Sequence, residues 1–261
     1  MMKTRRFVYI FIALAVLMCV LSSCSGGNAQ IKAIKKRGEL RVGVKVDVPR
    51  FGYLNPDTGI MEGIEVDLAR AIAKDILGSA DSVKFTNITA QTRGPMLENG
   101  EIDIVIATFT ITEERKLSFN FSRPYYTDEL GYLVRADSQI KSPEDLDGRI
   151  AGVVQASTAK SALEEECANL GINVTLAEYA SYPEVKAALA GGMVEAFVTD
   201  KSILYGYLDD ESKLLDAGFN PQHYGIACKL DNSKLATHID AFVEKIEKNG
   251  ELAAILEKWG L

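Results

Sequence analysis

Two similar α/β lobes, each a sheet flanked by helices, are predicted by three features of this sequence. From Glu39 onward short apolar runs alternate with helical patterns, the mark of strands and helices in alternation. That β-α-β-α-β succession occurs twice. Extended apolar stretches at 130–135 and 224–230 follow the two sets, so the chain crosses between lobes twice if its last helices pack on the first lobe. Two crossings make a hinge, with a cleft where strand ends of both lobes face each other.

In the first lobe, residues 40–44 read as a strand. Gly63 then precedes a helix whose Ile64, Leu68, Ala71, Ile72 and Ile76 share one face, and Gly78 stands where a left-handed residue would stop it. Residues 83–88 read as the next strand, Pro95 as the first residue of a short helix closed by Gly100, and 102–107 as a strand buried on both faces. The second set comprises a strand at 149–153, a helix at 158–170 stopped by Gly171, a strand at 174–178, a helix at 183–190 and a strand at 196–199. Two helices ending at Trp259 close the chain. Both sheets are expected to be parallel.

The N-terminus has the order of a secretory signal: Lys3, Arg5 and Arg6, an unbroken apolar run over 7–21, then small residues before Cys24. The run is shorter than the roughly 20 apolar residues that span a membrane. Residues 21–24, Leu-Ser-Ser-Cys, resemble the bacterial lipobox, which implies cleavage before an acylated Cys24. Ser25, Gly26, Gly27 and Asn28 then read as a flexible tether. The expected organisation is a signal peptide at 1–23, a lipidated tether at 24–30, a first lobe from 31–133 with 225–261, and a second lobe at 134–224.

Removing residues 1–23 leaves 26 cations against 36 carboxylates, a formal charge of −10. Nucleic acid is excluded as a partner on that balance. Acidity of this kind favours solubility, and a local cluster of cations can still recognise an anion. Cys167 and Cys228 remain in the mature chain, and two buried thiols are expected there rather than a disulfide.

Three stretches carry a family resemblance: Gly63-Ile64-Glu65-Val66-Asp67-Leu68-Ala69, residues 108–116 (Thr-Phe-Thr-Ile-Thr-Glu-Glu-Arg-Lys), and Phe121-Ser122-Arg123-Pro124-Tyr125-Tyr126. In this order and spacing the chain resembles the family 3 periplasmic amino-acid-binding proteins over essentially all of 31–261. The resemblance implies the two-lobed type II periplasmic-binding-protein fold, which closes like a Venus flytrap on a polar amino acid, and delivery of that ligand to an ABC permease. It is nearest to the aspartate- and glutamate-binding subgroup, through residues 43–49, 91–95 and 198–204. Many relatives have an acidic residue at the position of Lys45 and an aromatic one at Val48; both departures favour an anionic ligand side chain.

An amino acid zwitterion loses its hydration in a closed cleft, so its α-carboxylate needs fixed donors and its ammonium fixed acceptors. Arg115 suits the carboxylate, because a guanidinium grips with two parallel charge-assisted bonds; read locally, it is equally a solvated charge in a first helical turn. Asp200 follows an apolar strand end and suits the ammonium, or else caps the next helix. Thr158 opens a helix whose free N–H groups accept a carboxylate. Lys45 and Arg93, just past first-lobe strands, would otherwise be surface charges; by the resemblance they face the cleft and meet a side-chain carboxylate. Thr108, Thr110, Tyr182 and Tyr224 match further cleft-lining positions.

No cofactor and no metal are expected, and the protein should be a monomer bound to the extracytoplasmic face of the membrane. Two rivals stand beside this reading. One is a dehydratase-like enzyme on the same scaffold, against which only His223 and His238 are at hand, with no nucleophile arrangement. The other is a ligand sensor or adhesin, which usually carries a fused membrane helix and signalling domain.

Overall fold

The computed structural model describes residues 29–261. The signal segment and Cys24 lie outside the described residues. The tether ends earlier than the expected residue 30, because helix α1 (Ala29–Arg37) already includes Ala29 and Gln30. The Gln30 amide donates to Asp103 at 2.8 Å, which ties this helix to the first lobe.

The first lobe continues with β1 (Leu40–Val44), a small antiparallel sheet of β2 (Asp47–Val48), β3 (Gly52–Leu54) and β4 (Met61–Glu62), and α2 (Ile64–Leu77). Then come β5 (Val83–Asn87), α3 (Arg93–Glu98), β6 (Ile104–Val105), α4 (Glu113–Lys116) and β7 (Phe119–Phe121). The second lobe holds β8 (Tyr126–Arg135), β9 (Ile150–Val154), α5 (Ala159–Leu170), β10 (Thr175–Tyr179), α6 (Tyr182–Ala190), β11 (Ala196–Asp200), α7 (Lys201–Tyr207), β12 (Ser212–Leu214) and β13 (Phe219–Tyr224). The chain returns through β14 (Ala227–Lys229), α8 (Ser233–Lys248) and α9 (Glu251–Lys258).

The first-lobe sheet has the order β5-β1-β6-β14-β7, and the second β10-β9-β11-β8-β12, with β13 paired to β8. Both are mixed rather than parallel. The three strands joined through helices run parallel in each lobe, whereas β14 is antiparallel to β6 and β7, and β8 is antiparallel to β11, β12 and β13. Both β8 and β14 enter from the other lobe without a crossover helix, so nothing forces them to run parallel.

The boundary expected at 133/134 is displaced. All ten residues of β8 belong with the second lobe, so the chain crosses near Tyr125. It crosses back between Tyr224 and Ala227, where β13 gives way to β14. The two crossings pair with each other, Tyr126 opposite Tyr224 and Thr127 opposite His223, and form a two-stranded hinge.

The patterning explains the packing. Ile64, Leu68 and Ile72 of α2 join Val42 and Val44 of β1 in one buried cluster, and Leu235, Ile239, Val243 and Ile246 of α8 belong to the same cluster. Helix α8 packs on α1, β7 and β14, and α9 on α2, so the C-terminal helices cover the first lobe. Gly78 stops α2 at φ 84°, where its N–H reaches the Lys74 carbonyl. Pro95 is not the first residue of its helix: α3 starts at Arg93, because Thr89 and Thr92 hydrogen-bond each other's backbone at 3.2 and 2.9 Å and set the first turn two residues earlier. Over 102–107, strand pairing is confined to Ile104 and Val105. Cys167 and Cys228 are buried free thiols.

Candidate functional site

The C-terminal ends of the parallel strands point at one another across the hinge, the place where open α/β sheets bind ligands. β1 ends next to Lys45, and the turn after β5 leads to Arg93. The segment after β6 carries Thr108, Phe109 and Thr110, and α4 carries Arg115. From the second lobe, β9 runs into Ala156 and Thr158, α6 opens with Tyr182, and β11 ends at Asp200.

Three of these groups are charged yet nearly inaccessible, with Lys45 2%, Arg93 3% and Asp200 7% exposed. Lys45 Nζ donates to Thr108 Oγ1 at 2.8 Å and to Tyr182 Oη at 2.7 Å, the latter across the lobes. Arg93 donates to the carbonyls of Ala107 at 2.9 Å and Ala156 at 3.5 Å. Arg115 reaches Thr110 O at 2.8 Å and Ala156 O at 3.3 Å. Phe109 lies against both guanidiniums, its ring centroid 4.0 Å from Arg93 Cζ and 4.8 Å from Arg115 Cζ. Thr110 and Thr158 both donate to Gln222 Oε1, at 2.8 and 2.7 Å. Every one of these contacts spends a cation or a hydroxyl on a neutral acceptor.

Hydrogen bonds bear on the local alternatives that the sequence leaves open, by showing which side chains cap the helices. Asp200 sits at the N-cap of α7 but makes no side-chain capping bond; Asp128 takes that role, accepting from Ser202 N at 3.1 Å. Thr158 likewise does not cap α5. At α4 the cap is Thr112, which accepts from Arg115 N at 3.1 Å and leaves the guanidinium to turn into the site.

Burial without a charged partner shows in the titration of these groups. Lys45 is pulled down to about 8, first by desolvation and then by Arg93. Asp200 is pushed up to about 6 by desolvation and the nearby Asp128 carboxylate, against a lowering hydrogen bond from Tyr224. The Tyr224 hydroxyl also lies 3.3 Å from Asp128. Burial and Arg93 lower Arg115 from its ordinary value. Among the described residues, Arg93 Nε, Asp200 Oδ1 and Glu65 Oε2 are buried with no hydrogen-bond partner.

Glu65, Phe109, Ala156 and Gln222 were not singled out from sequence. Glu65 is fully buried on α2; it accepts from Tyr125 Oη at 2.6 Å and from the Thr108 backbone N–H, and burial raises it above its ordinary value. Its place in the same turn as Ile64 and Leu68 was the available signal. Gln222 lies two residues before Tyr224, hence on the same face of β13. The candidate residues do not line the cavity of about 710 Å³ bordered by Arg50, Asp128, Lys201 and Tyr205; unpaired buried charge, not volume, marks the site. Among the described residues no cluster of His, Cys, Asp or Glu suits a metal ion, and no helix is long and apolar enough to cross a membrane.

Comparison with known proteins agrees with this architecture. The chain is 37% identical over 257 residues to the ABC transporter glutamine-binding protein of Bacillus subtilis, covering 94% of this chain and 93% of that one. It is 31% identical over 260 residues to the glutamate-binding protein of Corynebacterium glutamicum, covering 94% and 86%. Among solved structures, an ancestral arginine-binding protein bound to glutamine superposes with a TM-score of 0.77 at 35% identity, over 86% of this chain and 98% of that one. The model of the bacterial extracellular solute-binding proteins, family 3, matches residues 40–261. Two sheet-based lobes, a paired hinge, a cross-lobe polar site and this match together place the chain in that family of bacterial extracellular solute-binding proteins.

Proposed function

We propose that this protein closes its lobes on one acidic amino acid, L-glutamate or L-aspartate, and delivers it to an ABC permease. The observation that carries the acidic preference is Lys45 and Arg93 buried side by side, with no carboxylate within ion-pair distance among the described residues. A ligand side-chain carboxylate there replaces neutral acceptors with a charged one, and such bonds are roughly twice as strong. A neutral side chain leaves desolvated charge uncompensated, which is expensive.

In this reading Arg115 and the N–H groups opening α5 at Thr158 receive the α-carboxylate. Asp200 and the Thr110 hydroxyl receive the ammonium. Thr108, Tyr182 and Tyr224 hold Lys45 and Asp200 in place. Glutamine is the second reading, because two relatives that bind it by name are 37% and 39% identical to this chain over the residues aligned. Calorimetric titration with all twenty amino acids tests both: the acidic assignment requires glutamate or aspartate to bind best, and a best-binding glutamine would replace it.

The mature chain is proposed to act as a monomer anchored to the membrane by acyl chains on Cys24, on its extracytoplasmic or periplasmic face. Several acyl chains, at about 0.8 kcal/mol per buried methylene, hold a protein where one would not.

A further inference from the structure

Gln222 is 1% exposed and lies on the hinge strand that returns to the first lobe. Its amide cannot be turned around. Nε2 donates to the Asn220 carbonyl at 2.9 Å and to Asn220 Oδ1 at 3.2 Å, and a carbonyl can only accept. Asn220 reaches that position through a register shift between Phe219 and Pro221 and a left-handed φ of 46°, a conformation Asn tolerates better than most residues. Oε1 is thereby aimed at Thr110 of the first lobe and Thr158 of the second, and it accepts a hydrogen bond from each hydroxyl.

A hydroxyl has one proton and two lone pairs. With both protons committed to Oε1, Thr110 and Thr158 offer only lone pairs to anything else in the cleft. We infer that Gln222 is a positioning residue for ligand selection: it sets both threonine hydroxyls as acceptors, one from each lobe, for the ligand's α-ammonium. This deepens the amino-acid-binding reading and rests on it. An ammonium needs three acceptors; Asp200 supplies one, and the oriented hydroxyls supply the others.

The test is Gln222→Met, which keeps the chain length and removes the acceptor. It is titrated with whichever of the twenty amino acids binds wild type best, isotope-labelled at its ammonium nitrogen. We expect about tenfold weaker binding, the scale of one hydrogen bond to a charged group, together with a shifted bound ammonium resonance. In a Thr110→Val, Thr158→Val background the same substitution should cost less than about threefold more, because both hydroxyls it orients are already gone. Thr158→Val, at a partly exposed position, should move the same resonance and serves if Gln222→Met folds poorly. Unchanged affinity, or weaker binding with an unmoved ammonium resonance, would overturn the role of Gln222 alone. A wild-type protein that bound no amino acid would overturn the proposed function and this role with it.

Discussion

Arg115 and Lys45 differ in what each would lose on substitution. Arg115→Lys keeps the charge but has no planar fork, so affinity should fall roughly tenfold to a thousandfold for Glu, Asp, Gln and Asn alike, at about 1.5–3 kcal/mol for a charged hydrogen bond. Lys45→Met removes a side-chain contact only; it should weaken Glu and Asp and narrow their advantage over Gln and Asn. Calorimetry with these four ligands separates the two, and an Arg115→Lys protein that binds like wild type would take Arg115 out of the site. The pH dependence follows from the same groups. A ligand ammonium lowers the Asp200 value from about 6, so affinity is full above that pH and declines as pH falls through it. A ligand carboxylate raises the Lys45 value from about 8, so affinity is full below that pH and declines as pH rises through it. Binding should therefore be tightest between about 6 and 8, measured by titration across pH; a flat profile would contradict both assignments.

At the scale of single elements, the start of α2 is the most constrained. Gly63 precedes the helix at φ 124° and ψ 171°, a region open to glycine alone, and an added Cβ would fall on the Phe51 carbonyl. Gly63→Ala should cost about 1–3 kcal/mol from the backbone alone, read as a lower thermal midpoint. Because α2 carries Glu65, whose carboxylate holds the Thr108 backbone N–H, ligand affinity should fall with it; a variant as stable as wild type would show that the loop at Phe51 yields freely. Elements with strong periodicity, such as α2, α5 and β1, were legible from sequence. The two-residue strands β2 and β4 were not, since such short pairings have no pattern of their own and depend on the hairpin that brings them together. Strand β13 was hidden for another reason: Pro221 and the bulge before it break the alternation that marks a strand.

For the whole molecule, the contacts between the lobes are made by the residues proposed to bind the ligand. Arg93 and Arg115 of the first lobe meet Ala156 of the second, Lys45 meets Tyr182, and Gln222 joins both. A ligand can shift the lobes only by binding the closed form more tightly than the open one. Saturating ligand should therefore reduce the radius of gyration in small-angle scattering, and Arg115→Lys should lose compaction and affinity together; compaction retained without binding would uncouple them. The proposed attachment through Cys24 involves none of the proposed cleft residues. Cys24→Ala should bind ligand normally and move from the detergent phase to the aqueous phase on partitioning, whereas equal partitioning would mean that Cys24 carries no lipid.

The sequence by itself determined the two-lobed α/β architecture, because hydrophobic periodicity and glycine stops are local properties that each element carries within its own residues. It also placed Lys45, Arg93, Arg115, Thr158 and Asp200 at strand ends and helix starts, the last step leaning on family motifs. Only the tertiary structure decided which neighbours those residues meet. Whether Asp200 caps α7 depended on Asp128, distant in sequence, taking the capping bonds first. The strand directions of β8 and β14 depended on the hinge, and the orientation of Gln222 on a bulge at Asn220. Such pairings join residues dozens of positions apart, and no periodicity within one segment encodes them.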